Sequence, residues 1–184
     1  RLSLAAARGD LARLRKVLKE ETFTALEGKM GEMEVAEQSG NLTATALVAT
    51  EAFRMLAHAI DPRMRRAPLE LTLQTYSAFK LMVLASAGTI DWTAVAEAAK
   101  EAEKSWISLR RIVREPNLRV LLSEAQAGLR DAAVRNDAAG VRFAARVQLA
   151  TFPLVREFFE RFAEAMARSG GDMRKMQQQM QRRR

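Results

Sequence analysis

His58, the single histidine of the chain, lies three residues after Met55, so a helix places both on one face. A Met/His pair of that kind is part of a ligand set for copper or for haem iron. Glu51 lies a further turn back and adds little to the pair. Two more thioether groups occur, Met30 with Met33 and the run Met173, Met176 and Met180. Thioethers suit copper(I), but methionine also fills irregular core gaps and lines adaptable interfaces. The supply of ligands ends there. Cysteine is absent, which removes thiolate metal sites, thiol catalysis and covalent haem attachment. The acids Glu20 and Glu21, Glu32 and Glu34, and Glu97 and Glu101 lack the Glu-x-x-His partners of a di-iron bundle. Glu97 and Glu101 are followed by Lys100 and Lys104, the pattern of a solvated face. No phosphate-binding loop, dinucleotide fingerprint or Ser/His/Asp set stands out. The expectation is a non-enzyme without a cofactor, and an exported copper or haem carrier built on Met55 and His58 is the alternative.

Positive charge is the more informative chemistry. The 184 residues carry 30 Lys and Arg against 22 Asp and Glu, a formal charge of +8. Residues 168–184 hold six basic side chains and Asp172, and so supply +5 of it. Much of the remainder gathers in two turns, with Arg63, Arg65 and Arg66 in one and Arg110, Arg111, Arg114 and Arg119 in the other. Together with Arg182, Arg183 and Arg184 these residues form a candidate surface for an anionic partner. A protein complex, a phospholipid surface and a nucleic acid each meet that description. Arginines near helix C termini also complement the macrodipole, which accounts for Arg110, Arg111 and Arg114 but not for the other clusters. Nucleic-acid binding ranks last because no recognition motif accompanies the charge. Trp92 and Phe158 are the candidate apolar anchors; Phe152, Phe159 and Phe162 share a stripe that Phe158 leaves.

The elements that must position these residues are helices. Apolar residues recur at spacings of three and four, with almost no strand alternation. A first helix is expected after Asp10, running on through Phe23 and Leu26, and Ser39-Gly40-Asn41 breaks the pattern. A second covers Thr43 to Ile60, and a third runs from Pro68 to Gly88 with Leu71, Leu73, Phe79, Met82 and Val83 toward the core. Asp91 caps a fourth, with Ile90 and Val95 spaced as a hydrophobic staple, and it ends before Glu115-Pro116. Asn117 caps a fifth, reaching Val134. Asp137 caps a sixth that runs to Met166 or Ala167 through Pro153, where a kink is expected. The Asp91 and Asp137 segments repeat faintly over 46 residues, which reads as bundle geometry rather than a solenoid.

Short connections favour antiparallel neighbours. The fold class expected is therefore all-α, an up-and-down antiparallel bundle of four to five long helices. Residues 1–40 form a looser N-terminal helical element, residues 41–167 the bundle, and residues 168–184 a basic tail. Both arginine-rich turns and the exit of the last helix then lie at one pole. No apolar stretch is long enough to span a membrane. Arg1 stands where a methionine would open a chain, so a processed or trimmed, exported (periplasmic or organellar) protein is expected.

From about Leu118 to Phe162 the chain resembles exported four-helix bundles of the soluble b-type cytochrome and cytochrome c-prime kind. A long helix with Leu118, Leu122, Leu129 and Ala132 leads through Asn136-Asp137 into an alanine-rich final helix. The resemblance implies a bundle. It does not carry the haem ligands across, because CxxCH is absent and the final helix has Arg156, Glu157, Phe158 and Phe159 in place of histidine. Ser105-Trp106-Ile107-Ser108-Leu109-Arg110-Arg111 is similar in style to lumenal extrinsic photosystem bundles, which implies an accessory subunit of a larger complex.

Overall fold

The computed structural model describes residues 4–65 and 67–182, with side chains as far as Ala165. Arg66, Arg183 and Arg184 lie outside the described residues. Every regular element among those described is helical: α1 (Leu4–Leu14), α2 (Glu20–Gln38), α3 (Leu42–Ala59), α4 (Leu69–Leu84), α5 (Trp92–Leu109), α6 (Pro116–Val134) and α7 (Ala138–Arg182), with one 3-10 turn at Pro62–Met64. No helix is long and apolar enough to cross a membrane among the described residues.

Capping residues account for most of the boundaries. Asn41, Asp91 and Asp137 each accept a hydrogen bond from the backbone N–H three residues on, which satisfies one of the orphan donors of a helix start. The α6–α7 connection is tighter still. Asn136 takes a positive φ of 56°, and Gly140 sits where a Cβ would lie 2.5 Å from Asp137 Oδ2 and 2.8 Å from Ala132 Cβ. Only glycine lets α7 start that close to the end of α6.

Several boundaries differ from the periodic reading. Asp10 lies inside α1 and pairs with Arg13 rather than capping a helix. The chain breaks after Leu14 and restarts at Glu20, because folding α1 back on α2 lets Leu11 join Phe23, Leu26, Met30 and Met33 in one apolar cluster. Glu115, not Asn117, caps α6 by accepting from Leu118 N–H, and Pro116 occupies the first turn, where its missing donor costs nothing. On α4 the buried face is Leu71, Gln74, Ser77, Ala78, Leu81 and Leu84, and Phe79 is 43% exposed, edge-on to Phe53 of α3. The α7 helix does not stop at Ser169-Gly170-Gly171 but continues to Arg182.

Two hydrophobic clusters result. The larger is built by α4, α5, α6 and α7, where α4 packs on α5, α5 on α6, α6 on α7 and α7 on α4. Alanines line much of α5 there, with Ala98 and Ala102 fully buried, and allow close approach. The smaller cluster joins α1 and α2 to one face of α3 through Val48, Ala52, Met55 and Leu56. The other face of α3 lies on α4.

Candidate functional site

The two arginine-rich turns flank one stretch of α7. Phe162 lines a groove of 470 Å³ with Pro62, Arg65, Pro68 and Leu69, and also one of 510 Å³ with Glu115, Leu118, Leu154 and Phe158. The α3–α4 and α5–α6 connections are thereby brought to the same level of α7, beside Phe162. Residues 60–68 carry a net +2 and residues 110–119 a net +3.

Arg63, Arg110, Arg111, Arg114 and Arg119 are all exposed, and none forms an ion pair among the described residues. Three of the acids beside them are already engaged. Asp61 accepts from Arg63 N–H, Glu115 caps α6, and Glu157 pairs with Arg161. Five guanidinium groups therefore face solvent without a neighbouring carboxylate to hold them, the arrangement that leaves a positive potential for an external anion.

Arg65 has a different role. Its Nη2 donates to Ala57 O at 3.3 Å and His58 O at 3.4 Å, capping the carbonyl end of α3, while its buried Nε has no partner. Arg182 closes α7, and Arg66, Arg183 and Arg184 fall outside the described residues.

The apolar anchors separate. Phe158 is half-buried at the cationic end, ring edge to Phe159 at 5.3 Å, and Phe162 beside it is 46% exposed. Trp92 opens α5 and is half-buried against the larger core. Arg110 closes the same 18-residue helix, so Trp92 stands roughly 27 Å from the arginine cluster. Trp106 is buried outright.

Met55 and His58 line a groove of about 1060 Å³ between α2 and α3, together with Glu21, Arg54, Asp61 and Arg63. Among the described residues no three of His, Cys, Asp and Glu converge on a point where an ion would sit. Met55 packs against the smaller core, and Met30 and Met33 are buried inside it, where thioethers fill space. Met173, Met176 and Met180 carry no described side chains.

A polar network at the α3–α4 interface had no counterpart in the sequence reading. Tyr76, almost wholly buried, donates to Glu51 Oε1; Arg54 Nε donates to Glu51 Oε2 at 2.9 Å; and Lys80 Nζ donates to Tyr76 Oη at 3.1 Å and lies 3.4 Å from Glu101 of α5. Burial opposes ionisation of Glu51, yet its hydrogen bonds from Tyr76 and Arg54 hold its carboxyl below the ordinary range. Burial and the adjacent Glu51 push the Tyr76 phenol up. Burial likewise opposes the charge on Lys80, but its Tyr76 and carboxylate neighbours raise it overall. The signal in the sequence was Tyr76 four residues before Lys80 on one helix face. It stayed silent because Glu51 lies on another helix.

Comparison with known protein families, with curated proteins and with solved structures finds no match.

Proposed function

We propose that the protein is a non-catalytic helical-bundle adaptor that docks on an acidic protein surface of a larger assembly. The contact is made by the cationic end, with Arg63, Arg110, Arg111, Arg114 and Arg119 reinforced by the basic C-terminal residues 168–184. One observation carries this reading: five exposed arginines, free of ion pairs among the described residues, lie on the two connections whose neighbouring residues border the apolar stretch at Phe158 and Phe162. Apolar anchors inside a charged surround are a common form of protein interface, since the charges steer and the buried aromatics hold.

The geometry that assembles this end is an up-and-down antiparallel arrangement. Pairs across the helices support it, because early residues of one helix meet late residues of the next. Gln74 reaches Ala102 O, Gln148 reaches Gln126, and Arg142 reaches Ala85 O. Residues 1–40 add a layer outside it.

The test is binding to three anionic probes over a salt series: polyglutamate, phosphatidylserine vesicles and duplex DNA. Polyglutamate should bind most tightly, with affinity falling steeply as salt rises. Arg110→Gln, Arg111→Gln, Arg114→Gln and Arg119→Gln combined should weaken it at least tenfold, and removal of residues 168–184 should weaken it further. Unchanged affinity at low salt in both variants would refute the reading. Tighter binding to DNA or vesicles would replace the acidic protein surface with that partner.

A further inference from the structure

One spacing runs the whole length of α7. Among the residues it buries, Val141, Ala145, Gln148, Phe152 and Val155 are separated by four, three, four and three positions, and the buried Ala144 and Thr151 border this series on one side. The same alternation continues through Phe159 and Phe162 to Met166, Met173, Met176 and Met180, with Ser169 the single polar member. A seam of period 3.5 sustained over three further heptads is the mark of a coiled coil. The ring helices cannot serve that length. The α4 and α6 helices begin at Leu69 and Pro116, level with Phe162, and α7 outruns them by roughly 30 Å before Arg182.

We propose that this distal seam is a dimer interface, and that its occupant is the same segment of a second copy of the chain. The charge pattern selects that occupant. The positions bordering the seam from 163 to 179 are Ala163, Ala165, Gly170, Asp172, Gln177 and Gln179, with one charge among them. The cations Arg168, Arg174, Lys175 and Arg182 fall at heptad positions away from the seam. Two identical helices therefore meet along it with little like-charge repulsion, whereas an acidic partner helix would find no cation at its border. Self-complementary contact about a two-fold axis is also the commonest form of closed assembly. Those cations hold heptad positions off the seam in each copy, so the inference goes beyond the docking surface and does not rest on it.

Sedimentation of the full chain at high salt and without any partner tests it. The expected mass is twice the 20.5 kDa of the chain. Met173→Glu with Met176→Glu should halve that mass, while Arg174→Gln with Lys175→Gln leaves it unchanged. Far-ultraviolet circular dichroism and Trp106 fluorescence check that the body of each variant stays folded. A monomeric wild type at tens of micromolar overturns the proposal, as does an assembly that survives the two glutamates or dissolves with the two glutamines. None of these outcomes depends on whether polyglutamate binds, so the two readings fail separately.

Discussion

At the scale of single residues, two side chains offer clean readouts. Tyr76 is the only tyrosine, so absorbance at alkaline pH titrates it alone. Burial and the hydrogen bond to Glu51 raise its pKa. Its ionisation should therefore fall above the usual phenol value of about 10, and Glu51→Gln should bring it down. A wild-type midpoint at or below that of free tyrosine, with helicity retained, would show that the network is not formed in solution. The sign for stability follows. A raised phenol pKa means stability that is present below the ordinary value and lost as pH climbs through the folded one. Gly140 is the second case. Alanine there would push its Cβ into the Asp137 carboxylate and the Ala132 methyl, so the cap and the helix approach must both give way. Gly140→Ala should cost about 1–3 kcal/mol, which lowers Tm by roughly 2–10 °C in a chain of this size. Thermal unfolding measures it, and an unchanged Tm would mean that the α6–α7 turn absorbs a methyl freely.

Among the elements, starts were more legible than faces. Asp91 and Asp137 announce helices because the cap is local chemistry, readable from four consecutive residues. The core face of α4 was not legible, since that helix is apolar nearly all round and is covered by α3, α5 and α7. Its polar Gln74 is buried while Phe79 is not, because Gln74 finds Ala102 O across the interface. Nothing in one sequence states which distant carbonyl will be there. The arginine clusters were legible as composition, but Arg65 as a cap for α3 was visible only in the fold. A buried pair between α6 and α7 gives the prediction at this scale. Gln148 Nε2 donates to Gln126 Oε1 at 2.9 Å, leaving Gln126 Nε2 and Gln148 Oε1 without partners. Replacing one glutamine by leucine strands the whole amide of the other and should cost about 1–3 kcal/mol, whereas replacing both removes every stranded group. Gln126→Leu with Gln148→Leu should therefore match or exceed the wild type in urea unfolding while each single variant falls below it. A double variant weaker than the wild type would mean that the pair contributes net stability.

For the whole molecule, the division into two clusters sets the order of opening. Among the described residues the α4–α7 cluster holds 21 buried apolar residues and includes Trp106, whereas the α1–α3 cluster holds five. The link between them includes a polar network of Glu51, Arg54, Tyr76 and Lys80 beside the Phe53–Phe79 edge contact and the packing of Leu47 on the larger core, and its ion pairs are partly exposed, worth about 0.3–1 kcal/mol each. Glu51 sits at its centre with a lowered pKa, so its contribution is present above the ordinary carboxylate range and is lost as pH falls through that range and below it. Acidification should thus loosen α1, α2 and α3 while α4–α7 remain packed. Amide exchange by mass spectrometry, corrected for the intrinsic pH dependence of exchange, resolves the two layers. Peptides from α2 and α3 should lose protection at a higher pH than those from α5 and the first half of α7. Glu51→Gln should bring part of that loss to neutral pH, since it removes the carboxylate that Arg54, Tyr76 and Lys80 share. Simultaneous loss from α1 to α7 would instead make the chain one cooperative unit, with the interface at α3 as strong as the core beneath it.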